Sequence, residues 1–248
     1  MHLGAQAKPL PVAADPRLSA WSAEERIRWC VEQFGEDAVL LSSMQKTSAV
    51  LMHLFHALGL SNEILFVDTG FHFQETLRLR DEFMLRYRLN LVTLYPELTP
   101  VQQEVRQGRQ LYLFADGQPE CCRQRKELPF LKHMRERGRR VVLLGLLQAE
   151  GGRRGAVGPW MADPRIPGYS LHPLYDWDAE RVDEYLQAHD VPIHPLHLQG
   201  YPSIGCQPCT TPVAPGEDPR AGRWRHLRTA GQSGPQYCGL NVADGSGI

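Results

Sequence analysis

An α/β architecture, with a parallel sheet flanked by helices, follows from three features of this sequence. Four short apolar runs, Ala38 to Leu41, Ile64 to Val67, Leu91 to Leu94 and Val141 to Leu144, have the length and unbroken hydrophobicity of strands buried on both faces. Segments of helical periodicity separate them. The first two runs end in polar turns, Ser42 to Thr47 and Asp68 to Gly70. Strand alternating with helix requires crossover connections, hence parallel pairing with helices on both faces.

Taken in order, residues 1–16 form a proline-containing, apolar-poor lead, expected to be extended or disordered. Ser22 is placed to cap a helix running to Phe34, with Glu24 and Glu25 in the first turn, where the helix dipole favours negative charge. After the first strand, Val50, Leu51, Leu54 and Leu58 share one face of a helix stopped by Gly59. The second strand leads to a helix from Phe73 to Tyr87, then the third strand. Cys121 to Arg137 reads as helical, followed by the fourth strand and by a helix from Asp178 to Ala188, capped by Asp176 or Asp178. From Pro212 onward glycine and proline recur and apolar residues are sparse. The expected organisation is a lead (1–16), a folded domain (17–211) and a flexible arm (212–248). Ligands of such sheets bind beyond the carboxyl ends of the strands. The loops Ser42 to Thr47, Asp68 to Gly70 and Gly145 to Trp160 are therefore site candidates.

A formal net charge of -1 gives no global attraction for nucleic acid or membrane. The charge is uneven, however, with a basic run from Arg123 to Arg140 and a second group at Arg220, Arg223, Arg225 and Arg228. Solvated helix faces are the ordinary reading of most of these residues. No apolar stretch approaches the roughly 20 residues of a membrane span, and the N-terminus lacks the basic-then-apolar pattern of a secretory signal. A cytoplasmic location is expected, where disulfides do not persist, so the six cysteines need another account.

Cys30, inside an amphipathic helix, reads as a small buried hydrophobe. Four others form tight pairs, Cys121-Cys122 and Cys206-Gln207-Pro208-Cys209, and Cys238 stands alone in the Gly-rich tail. Four clustered thiols beside a solitary one suggest a metal site next to a nucleophile. A Cys-x-x-Cys turn alone is ambiguous between zinc, iron–sulfur and dithiol chemistry. Adjacent cysteines on a helix diverge by about 100°. They chelate one small tetrahedral ion poorly but can each bind a different iron of a cube, which favours a [4Fe-4S] cluster over zinc or unligated thiols.

The cysteine pairs, with Arg123, Arg125, Lys126 and Pro129 after the first, Ser203-Ile204-Gly205 before the second, and Gly216 to Trp224 beyond it, resemble the bacterial and plant-type adenosine 5′-phosphosulfate (APS) reductases. So do Val67-Asp68-Thr69-Gly70 and the terminal Cys238-Gly239-Leu240; the resemblance runs from about Ser22 to Asn241. It implies an adenine-nucleotide hydrolase-like fold with 17–211 as the reductase domain. It also implies a [4Fe-4S] cluster on Cys121, Cys122, Cys206 and Cys209, and thioredoxin-dependent reduction of APS to sulfite and AMP in sulfate assimilation and cysteine biosynthesis. Cys238 would be the nucleophile, carrying an S-sulfonate that thioredoxin, or a glutaredoxin-like reductant, resolves. Lys126 would bridge cluster and sulfate, Arg220 and Arg223 would grip the phosphosulfate, Ser42 and Ser43 would lie in the modified phosphate loop, and Thr69 would meet the adenosine. Partners implied are a small nucleotide and a protein reductant, with neither nucleic acid nor membrane; a homo-oligomer is compatible with all of this.

The sequence also departs from that pattern. Leu147 and Gln148 stand where the family has two arginines, and Arg154 matches a later arginine or compensates for them. Tyr237 and Asn241 replace a glutamate and a histidine around the terminal cysteine, and the Ser42 to Thr47 loop lacks the usual acidic residues. The alternatives are a 3′-phospho-APS (PAPS) reductase, a dual-specificity reductase, or a tRNA-thiolating nucleotide enzyme or regulator. The last usually carries an intact Ser-Gly-Gly-x-Asp-Ser loop, which this chain does not.

Overall fold

The computed structural model describes residues 15–228. A six-stranded sheet has the order β3-β2-β1-β4-β6-β5. Its strands are β1 (Ala38–Ser42), β2 (Ile64–Val67), β3 (Leu91–Leu94), β4 (Val141–Leu143), β5 (Trp160–Asp163) and β6 (Gly168–Leu171). All pairings are parallel except the edge pair β5–β6.

The period-2 alternation of strand side chains divides the core. Leu40, Ile64, Phe66, Val141 and Leu143 pack with residues of α1 (Ala23–Phe34), α2 (Lys46–Ala57), α3 (Gln74–Tyr87) and α7 (Ala179–Ala188). Val39, Leu41, Leu65, Val67 and Val142 face the other way, against Phe130 and Met134. Every residue of β1 is buried, as an unbroken apolar run flanked on both faces must be. Helix α1 opens with a capping box: Ser22 Oγ accepts the Glu25 N–H at 3.2 Å, and Glu25 accepts the Ser22 N–H at 2.7 Å. Asp178 caps α7, accepting the Arg181 N–H at 2.8 Å, while Asp176 instead pairs with the fully buried Arg26. Cys30 is fully buried, as expected.

Several features differ from expectation. Strands β5 and β6 extend the sheet past the fourth apolar run, yet they carry Asp163, Gly168 and Ser170 and show no apolar run of their own. Gly168 is required there, because a Cβ would collide with the Arg140 carbonyl. Helix α4 (Pro100–Gln107) is set by a Thr99–Gln102 capping box rather than by periodicity, since its Val101 and Val105 face outward. The expected helix from Cys121 to Arg137 is three pieces in series: α5 (Gln118–Cys122), a π-helical turn (Arg123–Glu127) and α6 (Leu128–Glu136). The Leu128 N–H reaches back five residues to the Arg123 carbonyl. The wider turn rolls Arg125 and Lys126 inward, to 2% and 8% exposure, where an ordinary basic helix face would be solvated.

Residues 212–228, expected as the start of an unpacked arm, instead fold back onto the domain. Thr211 bonds to Gly222, Val213 to Gly200 and Trp224 to Cys209 through the backbone, and Trp224 is 1% exposed. One large aromatic anchors a segment too poor in apolar residues to look like core. The lead 1–14 and residues 229–248, including Cys238, Tyr237 and Asn241, lie outside the described residues. Among the described residues, no helix is long and apolar enough to cross a membrane.

Candidate active site

β1 connects to β2 on one side and neighbours β4 on the other, so the strand order reverses direction at β1. A crevice opens beyond the carboxyl ends at such a switch point. Here it is a cavity of about 1030 Å³, lined by Ser42 and Ser43 after β1, Phe66, Val67 and Thr69 at the end of β2, and Gly145 to Leu147 after β4. Arg154, Arg220, Arg223 and Arg228 line it as well.

A second, much smaller cavity lies beside it. Cys121, Cys122, Cys206 and Cys209 all line this space, with Phe71, Tyr112, Gln118 and Arg125. Lys126, Arg223 and Trp224 line both cavities and so form the wall between them. The expected quartet is thus brought together beside the large crevice. None of the four is in a disulfide, and all but the half-buried Cys122 are buried. Burial first, then the neighbouring Cys206 and Cys121, pushes the Cys209 thiol up to about 12, while Lys126 and Arg223 pull against that shift. Among the described residues no three His, Cys, Asp or Glu side chains are grouped to hold a metal ion.

The remaining candidates hold varied posts. Lys126 sits in the dividing wall on the π turn, and Arg223 beside it stacks over Trp224 at 4.6 Å and donates to the Ile204 carbonyl at 3.3 Å. The bare Gly205 leaves room for the Arg223 guanidinium, which a Cβ there would push aside. Arg220 faces the large cavity at its outer rim, 5.9 Å over Trp224. Arg154 lines the same cavity in an ion pair with Glu150. The Ser42 hydroxyl is 4% exposed and accepts the Met44 N–H at 3.2 Å, while Ser43 shares its hydroxyl and N–H with Ser48 at 3.0 and 3.1 Å. Both serines therefore build the turn after β1. The Thr69 side chain is 1% exposed and its hydroxyl lies 3.4 Å from Cys206 Sγ, so it serves the thiol loop as well as the cavity wall.

Three further residues escaped the sequence reading. Arg125, quoted in the motif after Cys122 but given no role there, crosses to the Thr69 and Leu98 carbonyls and stacks on Phe71 at 5.0 Å. Trp224 anchors the returning segment. His72 lines the large cavity, with Nε2 on the Val67 carbonyl at 3.0 Å and burial pushing its pKa down to about 4, which leaves it neutral beside Lys126. Arg125 and Trp224 fall inside the family-like motifs without a role of their own there, and no local pattern marks His72; each owes its position to contacts between distant segments.

Residues 37–212 match the phosphoadenosine phosphosulfate reductase domain family. The chain is 36% identical over 226 residues to a protein of Mycolicibacterium smegmatis named adenosine 5′-phosphosulfate reductase, covering 91% of each chain. It is 34% identical over 240 residues to one of the same name from Deinococcus radiodurans, covering 96% of this chain and 86% of that one. Among solved structures, a phosphoadenylyl-sulfate reductase from Candida auris superposes with a TM-score of 0.68 at 22% identity, over 77% of this chain and 91% of that chain. A Candida glabrata FMN adenylyltransferase gives 0.57 at 17% identity, over 79% and 67%. These two likenesses establish the adenine-nucleotide hydrolase-like fold, and the sequence matches establish that the chain belongs to the APS/PAPS reductase family.

Proposed function

We propose that this chain reduces APS to sulfite with release of AMP, in sulfate assimilation toward cysteine, using a dithiol protein such as thioredoxin as reductant. The observation that carries this reading is the shared wall: Lys126 and Arg223 border the nucleotide cavity and the four-thiol cavity at once. An anionic substrate approached by a thiolate needs fixed cations between the two charges, and a partly buried site makes each worth more than in water.

In this scheme the adenosine lies over the ends of β1 and β2, with the phosphosulfate toward Lys126, Arg220 and Arg223. The Cys238 thiolate forms a bond to the sulfate sulfur while the S–O bond to the AMP phosphate breaks, and AMP leaves with the bonding electron pair. A reductant thiolate then attacks Cys238 Sγ, expelling sulfite and leaving a mixed disulfide. The reductant's second thiol resolves that disulfide, so the partner dithiol is oxidised by two electrons and Cys238 is restored. Arg154 can exchange its Glu150 partner for a substrate oxygen.

Cys121, Cys122, Cys206 and Cys209 would hold a [4Fe-4S] cluster. The donor set fits it: four undisulfided thiols line one small space and sit against Lys126, Arg125 and Arg223, which offset thiolate charge. Such a cluster would contribute charge and rigidity to the wall, without electron transfer. The direct test is sulfite release from APS and from PAPS, each with thioredoxin. Turnover on APS supports the reading; turnover on PAPS alone overturns the substrate assignment.

A further inference from the structure

The turn after β1 contains a left-handed residue that is not glycine. Met44 has φ 57 and is fully buried, a conformation that side chains other than glycine adopt at a cost. Core packing and Ser42 hold it there, the Ser42 hydroxyl lying 3.7 Å from Met44 Sδ and accepting its N–H. The kink places the next residue, Gln45, at the N-cap of α2, where glutamine is an uncommon choice and makes no side-chain cap bond. Gln45 Oε1 instead accepts the backbone N–H of Ile204 at 3.0 Å, across 159 residues of sequence. Arg223 holds the other side of that residue through the Ile204 carbonyl, two positions before Cys206.

This bond fixes the amide. A backbone N–H can be met only by the amide oxygen, so the two Nε2 hydrogens are the donors left over. None of them meets an acceptor among the described residues, and Gln45 lines the nucleotide cavity together with Ser43, Lys126 and Arg223. We infer that Gln45 is a substrate-binding and positioning residue. Its oxygen ties the turn after β1 to the Cys206–Cys209 loop, and its N–H₂ group donates to oxygens of the phosphosulfate. The inference rests on the reading of the cavity as an APS site.

Gln45→Glu separates the two roles. The carboxylate keeps an acceptor for the Ile204 N–H but replaces the donors with a negative oxygen facing the anion. Calorimetric titration of the holoenzyme with AMP and with inorganic sulfate reads the change, alongside KM and kcat for APS and the melting temperature. The expected result is an unchanged melting temperature, AMP and sulfate affinity weakened about ten-fold or more, and KM raised by a similar factor with kcat within a few-fold. Gln45→Met, which removes both contacts without adding charge, should also weaken AMP and sulfate binding and, unlike the Glu variant, lower the melting temperature by freeing the Ile204 N–H. Equal AMP affinity in wild type and the Glu variant overturns the role of Gln45 and leaves the APS reading intact. If the wild type binds sulfate in a Gln45-dependent way but neither AMP nor APS, the donor role stands and the APS reading falls. If the wild type binds none of the three, both fall.

Discussion

The Thr69 hydroxyl lies 3.4 Å from Cys206 Sγ and accepts the Phe71 N–H at 3.2 Å, at a point only 1% exposed. Residues 137 apart thus fasten the end of β2 to the thiol loop, and the backbone reinforces the joint through Gln207 N–H on the Phe71 carbonyl at 2.7 Å. Thr69→Val keeps the shape but orphans the partly buried Phe71 N–H. We expect a loss of about 1–2 kcal/mol in urea unfolding, with Thr69→Ser close to wild type. A Val variant as stable as wild type would show the hydroxyl to be dispensable.

Lys126 carries its charge between two cavities at 8% exposure. Lys126→Ala should lower kcat/KM for APS by about 100-fold, the scale of a lost charge-assisted contact at a developing anion. Steady-state sulfite release measures it, with circular dichroism as the control for folding. A folded variant with near-normal turnover would remove Lys126 from the chemistry.

Anaerobically purified protein should be brown, with about four irons per chain. Cys121→Ser or Cys209→Ser should bleach it. Colourless wild-type protein carrying zinc would contradict the cluster, whatever its activity.

Two buried histidines away from the thiols set a pH dependence. His172 is 0% exposed with Nδ1 on the Gly158 carbonyl at 2.7 Å, and His194 is 1% exposed with Nε2 on Thr76 Oγ1 at 2.8 Å. Burial pushes each down to about 4 from an ordinary 6.5, so both are neutral in the fold. Below pH 6.5 the unfolded chain takes up protons that the fold refuses. Stability is complete above that pH and is lost progressively as the pH falls through about 4, by roughly 3 kcal/mol for each histidine. Urea midpoints compared between pH 7 and 4.5 should fall less steeply in His172→Gln than in wild type. Parallel curves for the two proteins would show that His172 does not titrate as described.

Arg26 is buried outright, bonded to Asp176 and to the Leu18, Ser19 and Pro173 carbonyls. Arg26→Met should cost about 3 kcal/mol, because it strands three carbonyls and one carboxylate. Asp176, 38% exposed on its side chain, keeps water as a partner and moderates the loss. Loss of less than 1 kcal/mol in chemical denaturation would mean the region relaxes around the gap.

The four parallel strands β1 to β4 and most of their helices were legible because apolar runs and 3.6-residue periodicity are local signals, though β3, at the sheet edge, is half-buried rather than covered on both faces. So was the pairing of Cys121-Cys122 with Cys206 and Cys209, through spacing and resemblance. What escaped notice depends on distant contacts. β6 adds to β4 by backbone pairing, with side chains as polar as Ser170. The π turn that buries Arg125 and Lys126 looks in sequence like a solvated basic helix. Trp224 alone converts a glycine- and proline-rich stretch into packed structure, and Gln45 reaches Ile204 only because Met44 bends the chain.

Intact mass after exposure to APS, with no reductant present, tests the central claim most directly. The account predicts the addition of one sulfonate, mapped by peptide digestion to Cys238, released as sulfite on adding thioredoxin, and absent from Cys238→Ser. Sulfite formation at the normal rate by Cys238→Ser, or an adduct on one of the four paired cysteines instead, would contradict it.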